Sequence, residues 1–173
     1  LFRSIGDSIA ASTSDRYSGE TCAALGDARW LVEIDAEAGR HVDFGVTVVD
    51  ERLPEDDFDA AVVMLGSNYR CNAAAYEADL RHIVDALAPR PTVLMTVTEF
   101  REDRIEVNAI IRDVAADYDN VRIVDWADVT AGDPGLLVRD GLHLNPVGRR
   151  HFAELLAAAL GDWTGEGYAG CVR

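Results

Sequence analysis

Short apolar runs alternate with segments of helical spacing along almost the whole chain, and this alternation restricts the possible folds more than any other feature. The strand-like runs are residues 1–5, 30–34, 59–65, 92–98 and 121–126. The helix-like segments are residues 19–25, 72–87, 103–118 and 145–160. Residues 59–65 (DAAVVML) are almost continuously apolar, as in a strand buried on both faces. The pattern predicts an α/β fold with a parallel sheet covered by helices on both sides.

The ends of the predicted helices are marked by proline. Pro89 and Pro91 follow the segment 72–87, and Pro146 stands in the first turn of the last helix. At 173 residues the chain fits one domain, residues 1–173, with residues 161–173 as a surface tail. The chain begins at Leu1, inside a predicted strand and without an initiator Met, so we expect a processed protein or an excised domain.

The charge balance excludes two classes of partner. The chain has 16 basic and 31 acidic residues, a formal net charge of −15. Such a surface repels phosphate backbones and anionic lipid head groups, so we expect neither a nucleic-acid partner nor peripheral membrane binding. No run of about 18 apolar residues occurs, so we expect no membrane insertion by this segment.

The three cysteines, Cys22, Cys71 and Cys171, lack the paired spacing of a structural zinc site. One disulfide with one free thiol suits an extracytoplasmic or secreted protein, whereas three reduced thiols suit a cytoplasmic one. The sequence favours the first arrangement slightly and does not identify the pair. We expect no metal site.

Polar residues with catalytic chemistry follow the predicted strands. Ser8 comes after the first strand, Asn68 after the third, and Asp140 and His143 lie in the long connection 127–144. In an open parallel sheet, ligands bind at the carboxyl ends of the strands, so these residues are expected to meet at one edge. Taken separately, a Gly-Asp-Ser turn, an Asp-Gly turn or a single His is more often structural than catalytic.

Together these residues supply the chemistry of nucleophilic catalysis. A serine hydroxyl becomes a nucleophile when an imidazole accepts its proton and a third group orients the imidazole. The Asp-Gly-Leu-His spacing lets Asp140 fold back on one ring nitrogen of His143 while the other nitrogen faces Ser8. The backbone at Ser8 and the side-chain amide of Asn68 are candidate donors to an oxyanion.

Four sequence blocks resemble those of the SGNH (GDSL-like) hydrolases: IGDSIA at 5–10, Gly39 within DAEAGR, LGSN at 65–68 and DGLHLNPVG at 140–148. The resemblance implies a flavodoxin-like three-layer α/β/α sandwich with five parallel strands in the order 2-1-3-4-5. It implies Ser8, Asp140 and His143 as catalytic triad, and Ser8, Gly39 and Asn68 as oxyanion hole, with no cofactor. Two departures are Ile9 in place of Leu and Tyr69 in place of an Asp found in many members.

The resemblance predicts a serine esterase that acts through an acyl-enzyme on small acyl groups, such as acetyl, carried by a carbohydrate or a small ester. The stretches VEIDAEAGR, VRIVDWAD and DGLHLNPVG are also similar to SGNH domains attached to membrane acyltransferases. The alternative is therefore an O-acetyltransferase domain, tethered to a membrane domain, that acylates a cell-surface glycan. A glycan-binding module without activity is a third interpretation.

Overall fold

The computed structural model describes residues 1–53, 57–165 and 169–172. Its strands are β1 (Phe2–Gly6), β2 (Leu31–Ala36), β3 (Ala60–Met64), β4 (Thr92–Met95), β5 (Val121–Val124) and β6 (Gly170–Cys171). Neighbouring strands pair in parallel in the order β5-β4-β3-β1-β2-β6. The α/β class and the order 2-1-3-4-5 are confirmed. The number of strands is corrected from five to six.

The helices are α1 (Ser8–Ala11), α2 (Glu20–Asp27), α3 (Val42–Arg52), α4 (Ala73–Leu87), α5 (Asp103–Ala116), α6 (Trp126–Gly132) and α7 (Pro146–Leu160), with a 3-10 turn at Pro134–Leu136. Helices α2, α4, α5 and α7 begin and end within a few residues of their predicted bounds. Helices α1, α3 and α6 were not predicted from the sequence.

Each face of the sheet has its own apolar core, because successive strand residues point to opposite faces. On β3, Ala61 and Val63 belong to the core beneath α3, α4 and α5, whereas Val62 and Met64 belong to the core beneath α2 and α7. All five residues of β3 are buried, as the nearly continuous apolar run predicts. The resulting three layers place the loops after β1, β2 and β3 side by side.

The C-terminal segment joins the sheet beside β2. Cys171 pairs with Val32 and forms a disulfide with Cys22 of α2, while Cys71 is a free, exposed thiol. The ring of Trp163 lies 4.9 Å from that of Trp30. Of the predicted surface tail, residues 166–168 and 173 lie outside the described residues. No described helix has the length and apolarity needed to cross a membrane.

Candidate active site

Ser8 is the first residue of α1 and lies two residues after the end of β1. The preceding residue, Asp7, caps this short helix: its side chain is buried and accepts a hydrogen bond from the Ile9 amide at 3.0 Å. Because Asp7 satisfies the helix terminus, the Ser8 hydroxyl is left free to face the rim of the sheet. There its Oγ lies 3.1 Å from Nε2 of His143, 135 residues further along the chain.

The Asp140 carboxylate divides its two oxygens between the backbone and the imidazole. Its Oδ1 accepts hydrogen bonds from the amides of Leu142 and His143, both at 2.9 Å. Its Oδ2 lies 2.7 Å from Nδ1 of His143. Hydrogen bonds from the His143 ring and from these two amides lower the pKa of Asp140 to about 2. An Nδ1–H that donates to Asp140 leaves Nε2 with a lone pair directed at the Ser8 hydroxyl.

The connection that carries Asp140 and His143 is ordered by its own hydrogen bonds. Leu137 and Leu144 form an antiparallel bridge, and the amide of Val138 donates to the His143 carbonyl at 2.8 Å. Asn145 caps α7 through its side-chain oxygen and donates through its side-chain nitrogen to the Gly135 carbonyl. These contacts fix the backbone that carries His143, while about half of the His143 side chain remains exposed.

The loops after β2 and β3 are bound to each other through Asn68. Its Nδ2 donates to the Arg40 carbonyl at 3.0 Å, and the His41 ring donates through Nδ1 to the Asn68 carbonyl. Gly39 stands in the same β2–α3 turn with φ of +78°, a conformation that favours glycine. No hydrogen bond joins Gly39 or Asn68 to Ser8 within the described residues. The strand register nevertheless brings the three loops to one edge, since Gly6 pairs with Ala36 and Met64.

Sequence reasoning missed two buried residues that position these loops. The second oxygen of Asp7 accepts from the Ser67 amide at 3.2 Å, so one carboxylate connects the turn of Ser8 with the loop of Asn68. Arg104 of α5 donates to the Ser67 carbonyl through Nε at 3.1 Å and through a terminal nitrogen at 2.5 Å. Burial raises the pKa of Asp7. The sequence indicates the burial of Arg104 only through its helical spacing from Val107 and Ile111, which lie on the same buried face of α5.

Among the described residues, no group of three or more His, Cys, Asp or Glu side chains is placed to hold a metal ion. The residues brought together at the site offer a hydroxyl, an imidazole, a carboxylate and amide groups.

A parallel α/β sheet whose carboxyl edge brings a serine, a histidine and an aspartate into one hydrogen-bonded series defines a class, the α/β serine hydrolases. The chain belongs, within that class, to the GDSL-like lipase/acylhydrolase family, whose sequence model matches residues 4–151. This range contains Ser8, Gly39, Asn68, Asp140 and His143. The resemblance seen in the four sequence blocks is confirmed.

Among curated proteins, the chain is similar to the O-acetyltransferase OatA of Staphylococcus aureus (strain NCTC 8325), with 25% identity over 130 residues. That match covers 74% of this chain but only 21% of the relative, so the chain spans about a fifth of the relative's length.

Three solved structures share the fold at low identity. A lipase/acylhydrolase from Enterococcus faecalis has a TM-score of 0.78 at 20% identity, covering 92% of this chain and 94% of that one. The acetylxylan esterase Axe2 from Geobacillus stearothermophilus has a TM-score of 0.76 at 19% identity, covering 94% of each chain. The C-terminal catalytic domain of OatA from Streptococcus pneumoniae has a TM-score of 0.66 at 22% identity, covering 92% and 91%.

Proposed function

We propose that the chain is a serine-dependent acyl-ester hydrolase in which Ser8 is the nucleophile, His143 the general base and acid, and Asp140 the group that orients His143. The observation that carries the proposal is the unbroken series of contacts from Ser8 Oγ to His143 Nε2 (3.1 Å) and from His143 Nδ1 to Asp140 Oδ2 (2.7 Å). This series supports the assignment of one catalytic step to each residue.

The reaction has two halves. Ser8 Oγ attacks the ester carbonyl while its proton passes to Nε2 of His143, and the Asp140 carboxylate stabilises the imidazolium. The tetrahedral intermediate collapses, the alcohol leaves with the proton from His143, and an acyl-Ser8 ester remains. A water molecule then gives a proton to His143 as it attacks the acyl carbon, and the second tetrahedral intermediate collapses. His143 returns this proton to Ser8 Oγ as the acid leaves, which restores the free enzyme.

The oxyanion of each intermediate needs donors that are already in position. We assign this role to the backbone amides of Ser8 and Gly39 and to the side chain of Asn68. One hydrogen of the Asn68 amide is bound by the Arg40 carbonyl, which fixes the plane of the amide and leaves the second hydrogen for substrate.

The proposed substrate is a small acyl group, such as acetyl, on a carbohydrate or a small ester. Two features support it: the fold shared with acetyl xylan esterases and the sequence similarity to an O-acetyltransferase. We propose further that residues 1–173 act as one domain.

An O-acetyltransferase is the second candidate, favoured by the OatA similarity over 130 residues. In that reaction a glycan hydroxyl replaces water as the acceptor, and the domain would be tethered to a membrane acyltransferase domain outside the cytoplasm. The Cys22–Cys171 disulfide supports an oxidising, extracytoplasmic location.

Mass spectrometry of the intact protein after exposure to a fluorophosphonate tests the proposal. We expect one covalent adduct on Ser8, which is lost in Ser8→Ala and strongly slowed in His143→Ala. An unmodified wild-type protein, or equal labelling of the Ser8→Ala protein, would contradict the assignment of Ser8 as nucleophile and favour a glycan-binding module. Once the nucleophile is established, the products formed from an acyl donor in the presence of a series of cell-wall sugars separate the two reactions. Only a transferase transfers the acyl group to a sugar faster than to water.

A further inference from the structure

A cavity of about 250 Å³ lies beside Asn68, between the N-terminal parts of α3 and α4. We call it the α3–α4 cavity. His41 and Asp43 line it from the α3 side, and Tyr69, Asn72 and Asp79 from the α4 side. Ser8 and His143 do not line it, so it is separate from the hydrogen-bonded series described above. It nevertheless opens on the same edge of the sheet, because both helices start after the carboxyl ends of β2 and β3.

The polar groups of this cavity have unused hydrogen-bonding capacity. Asp79 is half-buried and, apart from a longer-range attraction to His82, has no hydrogen bond or ion pair among the described residues. Asn72 uses its side-chain oxygen to cap α4, which leaves its NH₂ group free within that same part of the chain. His41 donates through Nδ1 to the Asn68 carbonyl, so its Nε2 is left as an acceptor. The wall therefore presents two acceptors and one donor.

These groups select the chemistry of a ligand. An acyl chain in the cavity would desolvate the Asp79 carboxylate without giving it a hydrogen bond, which is costly. An anionic ligand would be repelled by Asp79 and Asp43, and Arg70, a cation of the lining, is already paired with Asp43 at 3.3 Å. A neutral ligand with several hydroxyl groups satisfies the carboxylate, the amide and the imidazole at once. The ring of Tyr69 adds an apolar surface for the C–H groups of such a ligand.

The size of the cavity narrows the choice further. Its volume lies just below the roughly 300 Å³ at which pockets for drug-sized ligands begin. One six-membered ring fits this space better than a longer stretch of polymer. We infer that the α3–α4 cavity binds one neutral sugar ring of the glycan that carries or receives the acyl group. This inference rests on the proposed function and names the substrate class and the residues that recognise it.

His41 connects the cavity with the proposed reaction centre. A sugar hydroxyl that donates to Nε2 of His41 polarises the ring whose Nδ1–H is bonded to Asn68, and Asn68 is a proposed oxyanion donor. Occupation of the cavity therefore orders the loop of Asn68. We expect binding of the sugar to contribute to kcat as well as to KM.

Calorimetry on the Ser8→Ala protein tests binding without any need for turnover. The probes are xylohexaose and the hexamer of β-1,4-linked N-acetylglucosamine. We expect saturable binding of one of them, weakened about tenfold by the additional change Asp79→Ala. Asp113→Ala is the matched control, since Asp113 is an exposed aspartate of α5 without a partner in the described structure. Binding of neither probe, or equal weakening by both changes, would overturn the inference.

A kinetic ratio separates this inference from the proposed function. With Ser8 intact, kcat/KM is measured for O-acetylated derivatives of the two oligosaccharides and for p-nitrophenyl acetate, which has no sugar ring to occupy the cavity. We expect Asp79→Ala to reduce the oligosaccharide-to-nitrophenyl ratio about tenfold, and Asp79→Asn, which keeps the shape and one acceptor oxygen, to reduce it less. An unchanged ratio with Ser8-dependent hydrolysis refutes the cavity alone, whereas loss of Ser8 dependence refutes the proposed function.

Discussion

At the scale of single residues, Asp140 shows how one carboxylate can hold an imidazole in a single orientation. Two backbone amides fix its Oδ1, and this leaves only Oδ2 to meet the His143 ring. The turn closes over three residues because Gly141 adopts φ of +71°. The short spacing thus gives both the orientation and the tautomer of His143, which in the chymotrypsin-type enzymes requires an aspartate far away in sequence.

Asp140→Asn is expected to lower kcat for p-nitrophenyl acetate by about 10²- to 10⁴-fold, because a neutral amide neither stabilises the imidazolium nor fixes the same tautomer. The depressed pKa of about 2 sets the pH dependence of this loss. The wild-type carboxylate is protonated only as the pH falls through about 2, so it is ionised at every pH from 4 to 9. The wild-type protein is therefore expected to exceed the variant throughout this range.

A pH series of kcat/KM for the two proteins checks this expectation. The fluorescence of the buried Trp126 gives a fold control at each pH. A deficit below about tenfold, in a variant that remains folded, would contradict the role of Asp140. So would a deficit that disappears between pH 4 and 5, because it would show a carboxylate with an ordinary pKa.

At the scale of elements, the site depends on how α5 holds the loop after β3. Arg104 is buried at the start of α5 and donates twice to the Ser67 carbonyl, and it forms an ion pair with Asp103 at 2.6 Å. Ser67 in turn donates to Asp7, the cap of the helix that begins with Ser8. One chain of contacts therefore runs from α5 through the loop of Asn68 to the nucleophile. Arg104 is a positioning residue, since it acts through Ser67 and not on substrate.

Arg104→Met is expected to lower kcat for p-nitrophenyl acetate about tenfold with little change in KM, because the Asn68 amide loses its fixed position while the ground-state contacts remain. Arg104→Lys, which keeps one donor, is expected to recover part of the lost kcat. The free energy of unfolding is expected to fall by about 2 kcal/mol in the Met variant.

Steady-state kinetics at 15 °C, well below the melting temperature measured for each variant, distinguish positioning from a loss of folded protein. A kcat that is unchanged in folded Arg104→Met would show that Arg104 has only a structural role. Equal activity of the Lys and Met variants would show that the donor to Ser67 does not matter.

Helix α3 shows why part of the fold could not be predicted from sequence. Five of its eleven residues are Val or Thr and a sixth is Gly45, so local propensity argues against a helix. The helix forms because Val42, Val48 and Val49 are buried against the sheet. A Cβ at Gly45 would lie 2.6 Å from Cδ1 of Ile83 and 2.7 Å from Cδ1 of Leu65, so these two buried side chains would have to shift to accommodate it. Helices α4, α5 and α7 were predictable because their apolar stripes are long, and Pro89 and Gly161 also mark the ends of α4 and α7.

The same distinction applies to the site. Ser8, Asp140 and His143 were predictable because each lies in a short sequence block, and the neighbouring residues of that block hold the side chain in position. The contribution of Asp7 and Arg104 depends on contacts across 60 and 37 residues, which no local pattern specifies. The α3–α4 cavity lies between two helices of which only α4 was predicted, so its lining could not be assembled from the sequence.

At the scale of the whole molecule, the proposed catalytic residues and the disulfide lie at different ends of the strands. Ser8, Asn68 and His143 lie at the carboxyl ends of the strands, whereas the disulfide lies toward the amino ends of the strands. Cys171 pairs with Val32, the second residue of β2, and Val32 pairs with Phe2 at the start of β1. Four strand residues, about 13 Å, separate that level from Gly6, where the nucleophile turn begins. Loss of the disulfide is therefore expected to lower the free energy of unfolding and to leave the rate of ester hydrolysis nearly unchanged.

The double variant Cys22→Ala/Cys171→Ala tests this separation. The two cysteines are 149 residues apart, and cross-linking so long a loop restricts the unfolded chain by an amount worth up to about 5 kcal/mol in the chain-entropy account. We expect urea unfolding to show a loss of several kcal/mol, while kcat/KM for p-nitrophenyl acetate at 15 °C stays within about twofold of wild type. Cys71→Ala, which removes the exposed thiol outside the disulfide, serves as the control and is expected to change neither quantity. A large fall in kcat in the folded double variant would contradict the separation, because it would mean that α2 transmits strain to α7 and the His143 loop through the Glu20–Arg149 ion pair.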